Sequence, residues 1–263
     1  GTEGSGANSS FLKNTPVEIN EIEVPIKIKR YGLAKDSGGA GKYRGGTAIE
    51  MWFEALAPNT RVTARNMDRT RFTSWGVQNG RAGAPSYFLL NPNTSAERNL
   101  GNLDFIKIGP GDVVHVASGG AGGWGNPLER DIDAVFQDVK RGFVSHKSAL
   151  EDYGVVISNE SYDFEATEKK RSALMNSFVE NDFFDYGVGR IEYEKIWNRA
   201  NYDALTEILA KIPIHWRFFV KHRIFEMVGN QETLDSGEKI LTYFKRLLTE
   251  FPQLEETLRK KMD

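Results

Sequence analysis

The sequence predicts an α+β fold: a β-rich sandwich or barrel-like N-terminal region with glycine-rich loops, followed by a helical C-terminal region. Three observations carry this expectation. Short apolar runs punctuated by turn residues occupy Asn14 to about Pro127. Two loops, 36–46 and 118–127, hold ten glycines between them, a density that ordinary connections do not need because each glycine costs roughly 0.5–1 kcal/mol of extra backbone entropy. After Pro127 the alternation gives way to capped segments of helical character. The predicted division is therefore 1–128 and 129–263.

The first strand candidate, Ile22 to Lys29, alternates apolar and polar residues, and Pro25 within it marks an edge or a break. Thr47–Glu54, Arg61–Arg65, Ser86–Leu90 and Asp112–Val116 follow as further strands. Pro58-Asn59, Asn79-Gly80, Asn91-Pro92-Asn93 and Gly109-Pro110-Gly111-Asp112 supply the turns between them. Beyond Pro127, the run Asp131 to Gly142 has acids first, bases last and a glycine just past the end, which together specify a short helix. Ser145 caps the next, which runs through Leu150 to a stop at Gly154. A polar helix spans about Ala166 to Val179, with Lys169, Lys170 and Arg171 on a face read as solvated. Tyr202–Ile212, Ile214–Val228 and Gly237–Phe251 complete the helical set, broken at Pro213 and at Gly229-Asn230. In the segment 214–228, an apolar stripe of Ile214, Phe218, the Lys221 stem, Phe225 and Val228 suits a bundle core or a partner's groove.

Composition narrows the function classes. The 263 residues suffice for one large domain or two modest ones, and a net charge of −2 argues against a dedicated nucleic-acid or membrane-surface protein. No cysteine is present, so disulfides, thiolate metal sites and a cysteine nucleophile are excluded. No apolar run approaches the roughly 18 residues of a spanning helix, and the first residues lack a leader's pattern, which leads to the expectation of a cytoplasmic chain. The chain opens on Gly1 rather than methionine, read as added residues or the interior of a longer polypeptide.

Few constellations carry chemistry. The first loop is not a phosphate-binding P-loop, since Gly41-Lys42 is followed by Tyr43. Two readings of it stay open: an anion nest aided by Lys42 and Arg44, or a structural loop in which Arg44 pairs with a carboxylate such as Asp36. In the second loop, Ser118 lacks the glycine two residues earlier that a nucleophile elbow requires, and a glycine turn packed against Trp124 is the simpler reading. Arg61, Arg65, Arg69 and Arg71 form a cluster able to grip a phosphate or an acidic partner surface, or to lie as a solvated face. Among the histidines 115, 146, 215 and 222, the last two are two helical turns apart, about 10.5 Å, too far to share an ion. No metal site is expected.

Five blocks, in this order, resemble the hydantoinase B/oxoprolinase family: Asn14-Thr15-Pro16-Val17-Glu18; Asp36-Ser37-Gly38-Gly39-Ala40-Gly41 with Arg44-Gly45-Gly46; Gly111-Asp112-Val113; Gly119 to Asp131; and Val139, Gly142, Val144-Ser145 with Tyr153-Gly154-Val155-Val156. The resemblance covers roughly residues 10–157. It implies an enzyme built from a hydantoinase A-type ATP-binding subunit and a B-type subunit, of which this chain looks like the C-terminal half with a helical extension. Members open cyclic amides such as hydantoins, 5-oxoproline or lactams, or carboxylate ketones such as acetone and acetophenone. Both chemistries use ATP to phosphorylate a poorly reactive oxygen and shield the labile product from water.

By that resemblance ATP and Mg are held mainly by the partner subunit, and the family's metal ligands lie in an N-terminal part that this sequence does not contain. The expected partners are thus the A-type subunit, the N-terminal half of the same subunit and a small-molecule substrate, with no nucleic acid and no membrane. Cyclic-amide hydrolysis is the favoured reaction, with ketone carboxylation or a non-catalytic, channel-forming scaffold as alternatives. Only motif membership transfers to this chain, for Asp36, Gly38, Gly39, Gly41, Arg44, Gly45, Gly46, Gly119, Gly120, Gly122, Gly123, Trp124, Gly125 and Pro127.

Overall fold

Five antiparallel strands in the order β1-β2-β8-β5-β6 form the main sheet: β1 Ile26–Leu33, β2 Ile49–Ala55, β5 Tyr87–Leu90, β6 Arg98–Asn99 and β8 Val113–Ala117. The computed structural model describes residues 3–4, 15–64, 68–101, 103–158, 160–177, 183–229 and 237–256. Phe53, Ala55, Phe88, Leu90 and Val114 alternate onto one face of this sheet. There they pack with Ile108, Val62 and Ile106 of a two-stranded ribbon, β3 Thr60–Ala64 and β7 Leu103–Ile108. Burying each such large side chain contributes about 1.5–3 kcal/mol, so this one layer fixes the register of both sheets. The turns are those read from the sequence: Asn59, Asn79, Asn91, Asn93 and Gly111 all adopt positive φ. Among the described residues the strands do not close into a barrel.

The first strand departs from expectation. Ile22 and Glu23 end a short helix, α1 Val17–Glu23, and pairing begins only after Pro25. Pro16 opens that helix and Val24 is extended at its end, as a residue preceding proline tends to be. The strand β7 was not expected, because its alternation is interrupted by Asp104 beside the exposed Phe105.

The helices that follow obey their caps. Asp131 accepts from the Ala134 N–H ahead of α2 Ile132–Lys140, and Ser145 accepts from the Ser148 N–H ahead of α3 His146–Glu151. Gly142 and Gly154 take the positive φ of helix stops. In α4 Phe164–Asn176, Arg171 is not on a solvated face: it donates to the carbonyls of Tyr153 at 3.0 Å and Arg130 at 2.7 Å. Val135, Val144, Ala149, Tyr153 and Val155 form a core that includes Ala40 of the first glycine loop, so the helices hold that loop directly. Four short strand segments complete this part: β9 Ile157–Ser158 pairs with β10 Ser161–Tyr162, and β4 Gly76–Val77 pairs with β11 Phe184–Asp185.

The chain divides into two compact units, Gly1–Gly187 and Val188–Asp263. The second contains α5 Val188–Ile196, α6 Arg199–Lys211, α7 Ile214–Val228 and α8 Gly237–Glu250. Its core is Trp197, Leu205, Ile208, Ile212, Val220, Ile224, Val228, Ile240, Leu247 and Leu254. Helix α7 has the expected bounds but a different buried face. Val220, Ile224 and Val228 point inward at i, i+4, i+8, whereas Ile214 and Phe218 are 78% and 79% exposed.

Candidate functional site

Three separate stretches, 37–46, 74–84 and 119–125, meet backbone to backbone in the first unit. A Cβ on Gly38 would lie 2.1 Å from the Gly45 carbonyl oxygen; on Gly39, 2.1 Å from that of Arg81; and on Gly45, 2.0 Å from that of Ala121. On Gly120 and Gly122 it would lie 1.7 Å from the carbonyl oxygens of Ser37 and Trp75, and on Gly123, 2.2 Å from that of Ala40. Gly41 faces the Trp124 main chain at 2.7 Å. Real side chains never approach so closely, so these glycines are required by contact rather than by dihedral angle.

Main-chain hydrogen bonds tie the three stretches together. The N–H of Gly39 donates to Ala121 O at 2.8 Å, Arg81 to Ala40 O at 2.7 Å, Ala84 to Ser37 O at 2.8 Å, Gly123 to Arg81 O at 2.9 Å and Ala121 to Gly46 O at 3.0 Å. Tyr43 and Trp124 exchange bonds at 3.0 and 2.9 Å, and their rings meet at 5.6 Å. Gly125 has positive φ against Lys42, and Pro127 opens a 3-10 turn capped by Asn126. The middle stretch, with Gly76, Gly80 and Gly83, is legible in the sequence only as the Asn79-Gly80 turn. Its glycines are spread over eight residues and lack the density that marks the other two.

Arg44 explains why the first loop carries a cation. It is buried, its Nε donating to Asp138 Oδ2 at 3.1 Å and its Nη1 to Gly45 O at 2.6 Å, with Glu3 on its Nη2. Arg130 donates to the same Asp138 oxygen at 2.8 Å. The partner expected for Arg44, Asp36, instead accepts the Ser145 N–H at 2.7 Å. Burial pulls the Arg44 guanidinium toward neutrality, but the Glu3 and Asp138 carboxylates outweigh it and raise its pKa. Burial likewise raises the Glu3 carboxyl, yet Arg44 and the N–H and hydroxyl of Thr47 overcome this and hold it at about 2. Lys42 pairs with Glu129 at 3.1 Å. Arg44 is therefore not available to an anion; it ties the glycine loop to α2.

The remaining sequence candidates sit as follows. Arg61 lies over the Phe105 ring at 5.1 Å, Arg71 over Phe72 at 5.8 Å, and the Arg69 side chain stands 3.4 Å from where a Gly119 Cβ would be. Arg65 lies outside the described residues. Ser118 Oγ accepts the Ile49 N–H at 3.0 Å, a strand-closing role. His115 is buried on the outer face of the main sheet. Its Nε2 lies 2.8 Å from Glu50 Oε2 and 3.1 Å from Tyr87 Oη, and Trp52 stacks on its ring at 3.8 Å. Burial is the largest influence on His115 and lowers its pKa, Glu50 opposing and Arg30 assisting. No group of three or more His, Cys, Asp or Glu among the described residues is arranged to hold a metal ion.

One concavity opens beside the bundle. A cleft of about 280 Å³ is lined by Asp36, Gly38, Gly39 and Ala40 of the first loop, Arg81 and Ala82 of the middle stretch, and α3 residues with their flanks, including Ser148 and Asp152. Ser148 Oγ donates to Asp152 Oδ2 at 2.5 Å. The protein wall around Asp152 raises its carboxyl, while Ser148 and Arg81 pull the other way. Neither Ser148 nor Asp152 stands out in the sequence, since each comes from a segment unremarkable by itself, and Arg81 stands out only as the arginine that follows the 61–71 cluster.

Residues 1–127 match the family model described as hydantoinase B/oxoprolinase. An uncharacterised protein of Methanocaldococcus jannaschii is 39% identical over 163 residues, 60% of this chain and 28% of that one. Caprolactamase subunit beta of Pseudomonas jessenii is 34% identical over 172 residues, 62% of this chain and 29% of that one. The crystal structure of the ATP-dependent caprolactamase from that organism superposes with a TM-score of 0.49, at 29% identity, over 60% of this chain and 28% of that one. The acetone carboxylase alpha subunit of Xanthobacter autotrophicus is 26% identical over 291 residues, 90% of this chain and 36% of that one. The chain thus spans only about a third of the length of these relatives.

Proposed function

From the membership of residues 1–127 in the hydantoinase B/oxoprolinase family, we propose that this chain is the C-terminal part of a B-type subunit in a hetero-oligomeric ATP-dependent enzyme. The reaction is hydrolysis of a cyclic amide, a hydantoin, 5-oxoproline or lactam, through a phosphorylated intermediate. The observation that carries the choice of reaction is the 34% identity to a caprolactamase subunit.

ATP and Mg are assigned to an A-type partner and the family metal to the N-terminal part of the subunit. The described residues do not fit these groups, because the glycine bundle is filled by its own main chain, Arg44 is committed to Asp138 and Glu3, and no metal-holding cluster is present. The glycine-looped region 1–128 then acts as a wall against which a partner and the rest of the subunit assemble, and the helices of 129–187 buttress it; 188–263 is a compact unit of its own. By itself the chain is inactive. No helix among the described residues is long and apolar enough to cross a membrane, and the cytoplasm, where ATP is abundant, is the proposed location.

A specific observation favours a second reading, ATP-dependent carboxylation of a ketone. The acetone carboxylase match covers 90% of this chain, too much to fit within the first unit, so it reaches into the helical extension; the caprolactamase match covers 62%. One assay separates the two. The purified complex is given ATP with a lactam or hydantoin, or with a ketone and labelled bicarbonate. Ring opening without bicarbonate supports hydrolysis, whereas ATP turnover that requires bicarbonate and fixes the label overturns it.

A further inference from the structure

The cleft beside the glycine bundle holds two charged groups that the fold itself does not use. Most of its polar lining is committed: Asp36 accepts the Ser145 N–H at 2.7 Å, and Lys147 lies 3.9 Å from Glu151. Arg81 differs. Its main chain is fixed in the bundle on both sides, N–H to Ala40 O at 2.7 Å and carbonyl from the Gly123 N–H at 2.9 Å. Its guanidinium makes no hydrogen bond or ion pair among the described residues. Asp152 is held by the Ser148 hydroxyl at 2.5 Å, which leaves its other oxygen open. Arg81 and Asp152 feel each other's charge, yet they do not meet as an ion pair.

A cleft lined by a cation without an ion-pair partner and by a carboxylate with one oxygen open is complementary to a ligand carrying the opposite charges at its two ends. We infer that the cleft binds a small amino carboxylate, its carboxylate on the Arg81 guanidinium and its ammonium on Asp152. Arginine's planar fork suits a carboxylate through two parallel N–H donors. A volume of about 280 Å³ corresponds to roughly nine waters at about 30 Å³ each, which suits a molecule of similar heavy-atom count. An arriving ammonium would also offset the loss of solvent that raises the Asp152 carboxyl.

This inference deepens the hydrolysis reading and in one respect rests on it. Breaking a cyclic amide with water puts a hydroxyl on the carbonyl carbon and a proton on the nitrogen. At neutral pH the ring-opened product of a lactam or of 5-oxoproline carries a carboxylate and an ammonium in one molecule, whereas that of a hydantoin carries a carboxylate and a neutral ureido group. Carboxylation of a ketone yields a 3-oxo acid, which bears a carboxylate alone. The cleft is matched to the amino carboxylate and not to the 3-oxo acid.

The test is calorimetric titration of the full chain with 6-aminohexanoate, against hexanoate and hexylamine as single-charge controls. The expected result is saturable binding of the amino carboxylate, at least tenfold weaker binding of each control, and at least tenfold loss in both Arg81→Gln and Asp152→Asn. Both side chains are exposed, and an unchanged melting temperature confirms that the variants keep the fold; Arg81→Lys should retain part of the affinity. Absence of saturable binding, equal binding of hexanoate, or undiminished binding in either neutralised variant would overturn the assignment. Because no turnover is measured, the cleft and the reaction can fail separately: a complex that opens lactams while this chain ignores 6-aminohexanoate sinks only the cleft.

Discussion

Gly120→Ala is the sharpest probe of the glycine bundle. The new Cβ would sit 1.7 Å from Ser37 O and 2.5 Å from Ser37 C, where real contacts essentially never fall below 3.0 Å, so the carbonyl must move by about 1.3 Å, the difference between those limits. Ser37 is not free to yield. Its carbonyl accepts the Ala84 N–H at 2.8 Å, and its hydroxyl accepts the Ala48 N–H at 2.8 Å while donating to Ala34 O at 2.6 Å. Forcing an extra methyl into packed surroundings costs about 1–3 kcal/mol, and orphaning the Ala84 N–H adds about 1–3 kcal/mol. For a unit of this size, a loss of about 2–6 kcal/mol lowers the melting temperature by roughly 4–24 °C. The neighbouring residue supplies the control. At Gly119 the nearest atoms to a new Cβ belong to the flexible Arg69 side chain at 3.4 Å, and φ is not left-handed. Gly119→Ala should therefore be neutral, or stabilising by up to about 1 kcal/mol through reduced freedom of the unfolded chain. Thermal unfolding followed by circular dichroism reads both. A Gly120→Ala protein melting within 1 °C of the parent, or a Gly119→Ala protein falling equally far, would refute the argument.

Other perturbations follow from the same geometry. Asp138→Asn removes the charge that faces Arg44 and Arg130 in a buried setting, and is expected to cost about 3–5 kcal/mol in a denaturant titration; a change below 1 kcal/mol would show the network to be solvated. Glu3 has a folded pKa of about 2 against an ordinary value of 4.5, so its contribution is complete above pH 4.5 and is lost as pH falls toward 2. Glu3→Gln should flatten the acid limb of a stability–pH curve in that window, and an unaltered slope would contradict the pairing with Arg44. His115 has the opposite chemistry with the same sign: its folded pKa is lowered below 6.5, the unfolded chain binds the proton more tightly, and stability falls as pH drops below that value. The slope should diminish in His115→Gln. In the second unit, Ile224→Ala should cost about 2–5 kcal/mol and Phe218→Ser less than about 0.5 kcal/mol; similar losses for the two would mean that the buried face of α7 is misassigned.

Much of this architecture is legible in the sequence where local chemistry decides it. Asp131, Ser145, Gly142 and Gly154 cap and stop their helices as read, and Pro213 sets the start of α7. Where longer-range packing decides, the sequence misleads. Ile22-Glu23-Val24 alternates like a strand, yet Pro25 cannot donate to a ladder and the chain before it is helical instead. The face of α7 depends on what surrounds it, so Phe218, the larger apolar residue, lies outside while Val220 lies inside. The candidate site divides in the same way. Two of its three glycine stretches announce themselves by density, but their contact with 74–84, the burial of Asp138 and the placing of Arg81 and Asp152 in one cleft are products of tertiary structure.

The glycine bundle also bears on how the chain reaches its native state. Stretches 37–46, 74–84 and 119–125 are separated by tens of residues, and because each bonds to both others the full set of hydrogen bonds is complete only when all three have met. The segments between them, 47–73 and 85–118, must be brought round before the set is complete, which places the bundle late in folding and makes it slow. Once formed, it opens only as a whole, since releasing one stretch strips bonds from both others. The same interlock that leaves no room for a side chain thus acts as a kinetic latch, delaying entry to the native state and equally delaying exit from it.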